Sequence, residues 1–151
     1  MTDYSERIAD RLEIQELLAR YARIVDFRQW QLHDEVYTAD ATADYTATAG
    51  IAGAATDVMT WLDRALEAWP VNMHLLGNIV IDFTSPTEAT STCYFMGPMG
   101  VGEIGSQVVI TNAGLYEDRL QLTAAGWRIA HRDCRLLLMM GSLPEGYEIP
   151  D

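Results

Sequence analysis

The spacing of apolar residues changes after Pro70, and this change constrains the fold more than any other feature of the sequence. Upstream, apolar residues recur mainly at steps of three and four, which is typical of amphipathic helices. Downstream they alternate with polar residues, which is typical of strands. The pattern predicts helices at residues 8–26, 29–37 and 56–69 and strands at residues 40–48, 74–83, 89–96, 107–122 and 127–138. Helices followed by strands and short turns predict an α+β domain with helices packed on one face of an antiparallel sheet.

The remaining segments are predicted to be irregular. Residues 97–105 contain too many glycines for a regular strand, so we expect a flexible loop, and the tail after Gly141 predicts a lid or an extension. Asp3 followed by Glu6 is typical of the start of a helix. No repeat or linker interrupts the chain, so we expect residues 1–151 to form one domain. If the sheet curls, its concave face and the helices enclose a pocket suited to a small apolar ligand.

The charged residues exclude several classes of protein. All ten cations are arginine, which excludes Schiff-base chemistry on a lysine and a P-loop lysine. A formal charge of −12 without a basic stripe argues against a nucleic-acid partner. No apolar run reaches the ~20 residues of a membrane span, and the first residues lack the pattern of a signal peptide. We therefore expect a cytoplasmic protein without a membrane partner.

The cysteines and histidines predict no metal site. The two cysteines, Cys93 and Cys134, are far apart in the sequence and are expected to be reduced core residues. The three histidines are not spaced with them as metal ligands are.

A buried arginine is predicted in the last strand. Arg132 shares a strand face with Cys134 and Leu136, whereas Trp127 and Ile129 are predicted on the opposite face. A guanidinium among apolar side chains requires an anion or a wet cavity. A functional anion-binding role and a structural ion pair with a core carboxylate both remain open from the sequence.

Three more side chains are candidates for chemistry. His74 begins a strand, Asp26 lies where the first helical pattern ends, and Tyr21 lies on the apolar stripe of that helix. Each has a structural alternative: a core histidine, a carboxylate facing water, and a core ring whose hydroxyl needs a partner. The strand phase opposite His74 is predicted to form core and contains Leu75, Gly77, Ile79, Ile81 and Phe83.

Four segments together resemble a known family. They are residues 21–30 (YARIVDFRQW), Tyr45, residues 72–78 (NMHLLGN) and residues 126–132 (GWRIAHR). Their order and spacing resemble the SnoaL-like branch of the nuclear transport factor 2-like superfamily, over about residues 8–140. Within that branch the pattern is most similar to the group of scytalone dehydratase, hexachlorocyclohexane dehydrochlorinase and bile-acid 7α-dehydratase.

The resemblance implies a fold and an assembly. We expect a cone-shaped barrel in which a curved, mixed but mostly antiparallel sheet wraps around the N-terminal helices and encloses an apolar pocket. It also implies that no metal or organic cofactor is used, and that the protein is a homo-oligomer, with a trimer favoured over a dimer.

The resemblance also implies site residues. Asp26 and His74 match an aspartate–histidine pair of these enzymes. Tyr21 matches a tyrosine of the bile-acid dehydratase, where the dehydrochlorinase has lysine, and Arg132 matches an arginine of both. Tyr45 resembles a tyrosine of scytalone dehydratase that holds substrate. The second histidine of scytalone dehydratase has no counterpart in residues 93–96, so scytalone is a poor substrate candidate. Further residues expected to line the pocket are Trp30, Met73, Met96 and Leu136.

These expectations lead to three functional hypotheses. The first is a dehydratase-type elimination in which Asp26 and His74 act as the acid–base pair and Tyr21 and Arg132 stabilise negative charge. The second is an isomerase or cyclase with the same residues, and the third is a non-catalytic binding protein. The sequence leaves open which member of the pair takes the proton. A hydrophobic cyclic molecule such as a steroid, terpenoid or polyketide is the expected ligand.

Overall fold

The structure, a computed structural model, describes residues 7–149. The helix start expected at Asp3 and Glu6 lies outside the described residues. The helices are α1 (Ile8–Asp26) and α2 (Ala55–Ala65), with short 3₁₀ helices at Trp30–Glu35 and Thr46–Thr48. The strands are β1 (Tyr37–Asp44), β2 (Ala52–Ala54), β3 (Val71–Asn72), β4 (Leu75–Phe83), β5 (Glu88–Val101), β6 (Val108–Thr123) and β7 (Gly126–Met140).

The strands form one curved sheet around the helices. Its order is β2-β1-β7-β6-β5-β3, and β4 also pairs with β5. β1 and β7 run parallel, and the other pairs are antiparallel. The prediction of a cone-shaped α+β fold with a mixed, mostly antiparallel sheet is confirmed. No helix within residues 7–149 combines the length and apolarity needed to cross a membrane.

The core lies between the helices and the concave face of the sheet. Ile14, Leu17 and Leu18 of α1 are fully buried in the same cluster as Trp127 and Ile129 of β7. This follows from the amphipathic pattern, since a helix with one apolar stripe must bury it against another apolar surface. The helices therefore pack against the inner face of the sheet, and a cavity lies between them and that face.

The prediction of a loop at residues 97–105 is wrong for residues 97–101 and right for residues 102–105. β5 continues to Val101 because β6 pairs with it throughout, from Gly97 opposite Asn112 to Val101 opposite Val108. The backbone of a glycine can complete a ladder of hydrogen bonds, so a glycine-rich segment flanked by two strands can remain in a sheet. The connection to β6 is confined to residues 102–107.

The helical predictions differ mainly at their ends. The segment expected to be helical at residues 56–69 forms α2 only as far as Ala65, and residues 29–37 form a six-residue 3₁₀ helix at Trp30–Glu35. The strand expected at residues 40–48 is shifted to Tyr37–Asp44. The ends of an element are the part that local propensity determines least, so differences of a few residues are concentrated there.

The sheet contains several register shifts, and two of them change the predicted face of side chains in β4 and β7. In β4 the three-residue step from Gly77 to Val80 is opposite the two-residue step from Tyr94 to Thr92 on β5. The extra residue reverses the alternation, because a shift of one residue moves each following side chain to the other face. Leu75, predicted as core, is therefore 58% exposed, whereas Ile81 is buried.

The second bulge lies in β7. Ile129 and His131 are opposite neighbouring residues of β6, Leu120 and Arg119, so one residue of β7 is unpaired between them. Trp127 and Ile129 are consequently buried together with Arg132, and the prediction that they occupy opposite faces is wrong.

Asn78 at the β4 bulge provides a test of this geometry. Its φ is +51°, a left-handed conformation that asparagine tolerates and that costs most other residues roughly 1–2 kcal/mol. We expect Asn78→Val to lower the free energy of unfolding in urea by about that amount, and Asn78→Gly to leave it nearly unchanged. Asp82→Val, at an exposed site beyond the bulge on the same strand, is the matched control. Equal stability of the two valine variants would contradict the assigned bulge.

Candidate active site

A carboxylate and an imidazole meet where α1 ends and β4 begins. Asp26, the last residue of α1, accepts a hydrogen bond from His74 Nδ1 (2.6 Å) through Oδ1 and one from the His74 backbone N–H (2.9 Å) through Oδ2. Their side chains are 13% and 14% exposed, so Asp26 is not a carboxylate facing water. Since a carboxylate only accepts, the proton of the neutral imidazole lies on Nδ1 and Nε2 carries the free electron pair.

His74 lines a cavity that Asp26 does not reach directly. The cavity has a volume of about 340 Å³ and lies between α1, α2 and the inner face of the sheet. This volume falls within the range of small-molecule sites. Most of the wall is apolar, and its polar side chains include Tyr21, Tyr45, Thr48, His74, Asn112, Tyr116 and Tyr147. The imidazole therefore separates the carboxylate from the cavity.

Two phenols form a hydrogen-bonded pair in the cavity wall. The hydroxyls of Tyr21 and Tyr45 are hydrogen-bonded to each other, and the ring of Tyr116 packs edge-on against that of Tyr21 at 5.7 Å between centroids. Burial raises the pKa of Tyr21 and raises the pKa values of Tyr45 and Tyr116 well above their ordinary value. The phenols are therefore neutral at physiological pH. Tyr45 is also hydrogen-bonded to the buried Tyr37. When Tyr37 donates to Tyr45 and Tyr45 donates to Tyr21, the Tyr21 hydroxyl keeps its proton for a ligand oxygen.

Arg132 lies behind these tyrosines. Its side chain is fully buried, and Nε and Nη2 donate to the two carboxylate oxygens of Asp118 at 2.7 Å each. Its Cζ lies 4.1 Å from the ring centroids of both Tyr21 and Tyr116. Burial acts to lower the pKa of Arg132, and Asp118 more than offsets this, so its pKa stays well above the usual value.

This placement corrects the role expected for Arg132. The guanidinium does not line the cavity, so it is not placed to contact a ligand directly. Its partner is a core carboxylate, which was the structural alternative. Asp118 was missed, although a signal for it exists in the sequence: it alternates with Tyr116 and Leu120 on one strand face.

The structure separates the expected lining residues into two groups. Tyr45 and Leu136 line the cavity, whereas Trp30, Met73 and Met96 do not. Met96 occupies the outer phase of β5, since its neighbours Phe95 and Gly97 are on the inner one. Met73 is half exposed, and Trp30 borders a second, smaller cavity. The size and apolarity of a side chain do not show whether it is on the inner or the outer face of a strand.

The C-terminal tail covers part of the cavity. Leu143, Tyr147 and Ile149 contribute to its wall. The Tyr147 hydroxyl donates to the carbonyl of Ala65 at the end of α2 (3.2 Å), and its ring packs against Trp69 at 5.5 Å between centroids. Of the two alternatives for the tail, the structure therefore shows a lid.

The remaining polar clusters provide no metal site. Across residues 7–149, no group of three or more histidine, cysteine, aspartate or glutamate side chains is placed to hold a metal ion. Cys93 and Cys134 are both buried and free, and burial raises their pKa values to about 11 and about 12.

Comparison with known proteins assigns the family. A family model described as a SnoaL-like domain matches residues 6–133. The chain belongs to the SnoaL-like domain family. Uncharacterised proteins of Mycobacterium tuberculosis and Mycobacterium bovis are 39% identical to it over 126 residues, which is 83% of this chain and 84% of each relative.

Solved structures share the fold of this SnoaL-like domain at low sequence identity. A Kribbella flavida protein superposes with a TM-score of 0.76 at 23% identity, covering 87% of this chain and 93% of its own. A candidate scytalone dehydratase from Novosphingobium aromaticivorans gives 0.75 at 18% identity, covering 98% and 99%. A hexachlorocyclohexane dehydrochlorinase from Novosphingobium barchaimii gives 0.76 at 16% identity, covering 96% and 97%. The dehydratase-like and dehydrochlorinase neighbours are members of the nuclear transport factor 2-like superfamily.

The contribution of the Arg132–Asp118 pair to stability can be tested by removing Asp118 and, separately, its neighbour Glu117. We expect Asp118→Ala to lower the free energy of unfolding by about 3–5 kcal/mol, because it leaves a buried guanidinium without its counter-charge. Glu117→Ala removes an exposed partner of Arg135 and should cost at most about 1 kcal/mol. Urea unfolding followed by circular dichroism measures both.

A double variant keeps this test decisive if Asp118→Ala does not fold. Replacing Asp118 by Leu and Arg132 by Met removes both charges, so stability should return towards that of the native chain. Equal effects of Asp118→Ala and Glu117→Ala would contradict the buried pair.

Proposed function

We propose that this SnoaL-like domain is a cofactor-independent lyase that catalyses a dehydratase-type elimination on a hydrophobic cyclic molecule. The observation that carries the proposal is the hydrogen bond from His74 Nδ1 to Asp26. It directs the proton of the imidazole away from the cavity and leaves Nε2 as a base on the wall of an apolar space.

In the proposed reaction His74 Nε2 takes a proton from a substrate carbon. The electrons of that C–H bond form the new C=C bond, and the bond from the neighbouring carbon to its hydroxyl breaks. The departing oxygen takes the proton from the imidazolium and leaves as water, so His74 returns to its neutral form. Asp26 stabilises the imidazolium between the two steps, and a positioned proton transfer of this kind contributes about 10²–10⁴-fold.

The tyrosine pair is proposed to stabilise charge on the substrate. When a carbonyl activates the C–H bond, negative charge develops on its oxygen, and the free hydroxyl proton of the Tyr21–Tyr45 pair can donate to it. One such donor is worth about 10²–10³-fold. Arg132, beneath the ring of Tyr21, is proposed to act through the tyrosines rather than by contact with substrate.

The cavity supports a neutral and largely apolar substrate. Its wall is mostly aliphatic and aromatic, and the net charge of −12 disfavours anions. A steroid, terpenoid or polyketide ring system fits these requirements. Two neighbours in fold are named for eliminations, as a candidate dehydratase and a dehydrochlorinase, which agrees with the proposed reaction type.

Two alternatives use the same cavity. An isomerase or cyclase would need the same base and hydrogen-bond donors, since the outcome depends on whether the substrate has a leaving group. A non-catalytic binding protein is the third possibility, because the family includes such members.

The assembly and the location of the protein remain predictions. A homo-oligomer is supported by apolar residues on the outer face of the sheet, and the preference for a trimer rests on the resemblance alone. Leu75, Met96 and Leu138 lie near one another across neighbouring strands and are each roughly half exposed. A cytoplasmic location stays an expectation from the sequence.

The proposal is tested with a panel of cyclic β-hydroxy ketones in D₂O, followed by mass spectrometry. We expect water loss from at least one member. His74→Ala should reduce its rate by about 10²–10⁴-fold, and Asp26→Asn should reduce it as well. His131→Ala is the matched control, because His131 bonds to Thr42 and Asp133 away from the cavity.

Each outcome of this assay has a separate meaning. Deuterium incorporation without water loss would support the isomerase or cyclase, and binding without either reaction would support the binding protein. Full turnover by His74→Ala would contradict the assigned base.

A further inference from the structure

A glycine lies beside the reactive edge of His74. Gly97 is buried within the 14-residue strand β5, opposite Asn112 of β6, which is in turn opposite Met139 of β7. His74, Gly97, Asn112 and Met139 all line the cavity. Gly97 therefore leaves a gap in a row of side chains, and the imidazole of His74 borders that gap.

Neither the backbone nor the packing requires glycine at this position. The φ of Gly97 lies outside the left-handed range, so other residues can adopt it. A Cβ at position 97 would lie 3.5 Å from His74 Nε2, 3.6 Å from its Cδ2 and 3.8 Å from the carbonyl oxygen of Asn112, which are ordinary van der Waals distances. By contrast, a Cβ at position 114 would lie 1.8 Å from the backbone carbonyl oxygen of Arg135. Packing therefore requires glycine at position 114.

A glycine inside a strand weakens it, and a common reason for one is the close approach of another group. The group that a Cβ at position 97 would obstruct is Nε2 of His74. A proton donor must approach a general base to about 2.6–3.2 Å. A methyl group 3.5 Å from Nε2 would occupy part of the space that such a donor needs.

We propose that Gly97 determines which substrates reach the base. The space bordered by His74, Gly97 and Asn112 is here termed the Gly97 notch. It is wide enough for a ring carbon, together with its two ring neighbours, to approach Nε2 of His74. A side chain at position 97 would restrict the approach to smaller groups. The inference rests on the proposed function, because only a reaction at a C–H bond gives the notch a role in presenting that bond to His74.

The notch is tested by labelling His74 in Gly97→Ala and Gly97→Val with two reagents that attack neutral imidazole nitrogens. Diethyl pyrocarbonate is small, and p-bromophenacyl bromide carries an aromatic ring. Peptide mass spectrometry gives the rate at His74, and labelling of His33 and His131 in the same sample is the internal reference. Gly77→Ala is the matched control, because a Cβ there meets nothing within 4 Å and the φ of Gly77 also lies outside the left-handed range.

We expect Gly97→Ala to slow labelling by the ring reagent about tenfold and to slow the small reagent less. Gly97→Val should slow the ring reagent about 100-fold, in line with the loss that a displacement of about 1 Å can cause. Gly77→Ala should label as the native chain does. If Gly97→Val does not fold, the ratio of the two reagents in Gly97→Ala decides the test.

The proposal is overturned if the ring reagent labels His74 equally fast in the native chain and both Gly97 variants, or if it does not label His74 in the native chain. Labelling requires no turnover, so the result is separate from the elimination assay. Slower labelling in the variants with no reaction on any hydroxy ketone would support the notch as a ligand-binding feature while the lyase proposal fails. Water loss with labelling independent of residue 97 would reject the notch alone.

Discussion

The site depends on one carboxylate that holds both the backbone and the ring of the same residue. Asp26 accepts from the N–H and from Nδ1 of His74, so the end of α1 and the start of β4 are fixed to each other at two points. With the ring oriented in this way, its other nitrogen faces the cavity. The same contact explains why Asp26, five residues after Tyr21 on one helix, need not reach the cavity itself: Tyr21 lines the wall, and Asp26 acts through the imidazole.

Around this pair the cavity wall has an inner layer of mostly apolar side chains and an outer layer that contains charged ones. The surface in contact with a ligand is apolar apart from a few hydroxyl, amide and imidazole groups, and the full charges of Arg132 and Asp118 lie behind the tyrosine rings. A charge kept out of water in this way acts on its neighbours more strongly than one in solvent. The tyrosines thus present neutral hydrogen-bond donors supported by a cation, which suits an oxygen that becomes negative only during reaction.

The order of the elements, the α+β fold and the positions of Asp26 and His74 followed from apolar periodicity and from the resemblance. The inner and outer phases of the strands did not, because the extra residue between Gly77 and Val80 and that between Ile129 and His131 reverse the alternation. Simple alternation therefore predicted the exposed Leu75 as a core residue and placed Trp127 on the face opposite Arg132, although both are buried. The partner of Arg132 depends on the register of β6 against β7, which brings Asp118 opposite it and is a property of the whole sheet.

The location of the ring proton of His74 tests the account most directly. Long-range ¹H–¹⁵N correlation spectra of the ¹⁵N-labelled protein distinguish the two neutral tautomers of each histidine. The account predicts that neutral His74 carries its proton on Nδ1, with Nε2 unprotonated, and that Asp26→Ala reduces the population of this tautomer. A neutral His74 with its proton on Nε2 in the native protein would contradict it, since no base would then face the cavity.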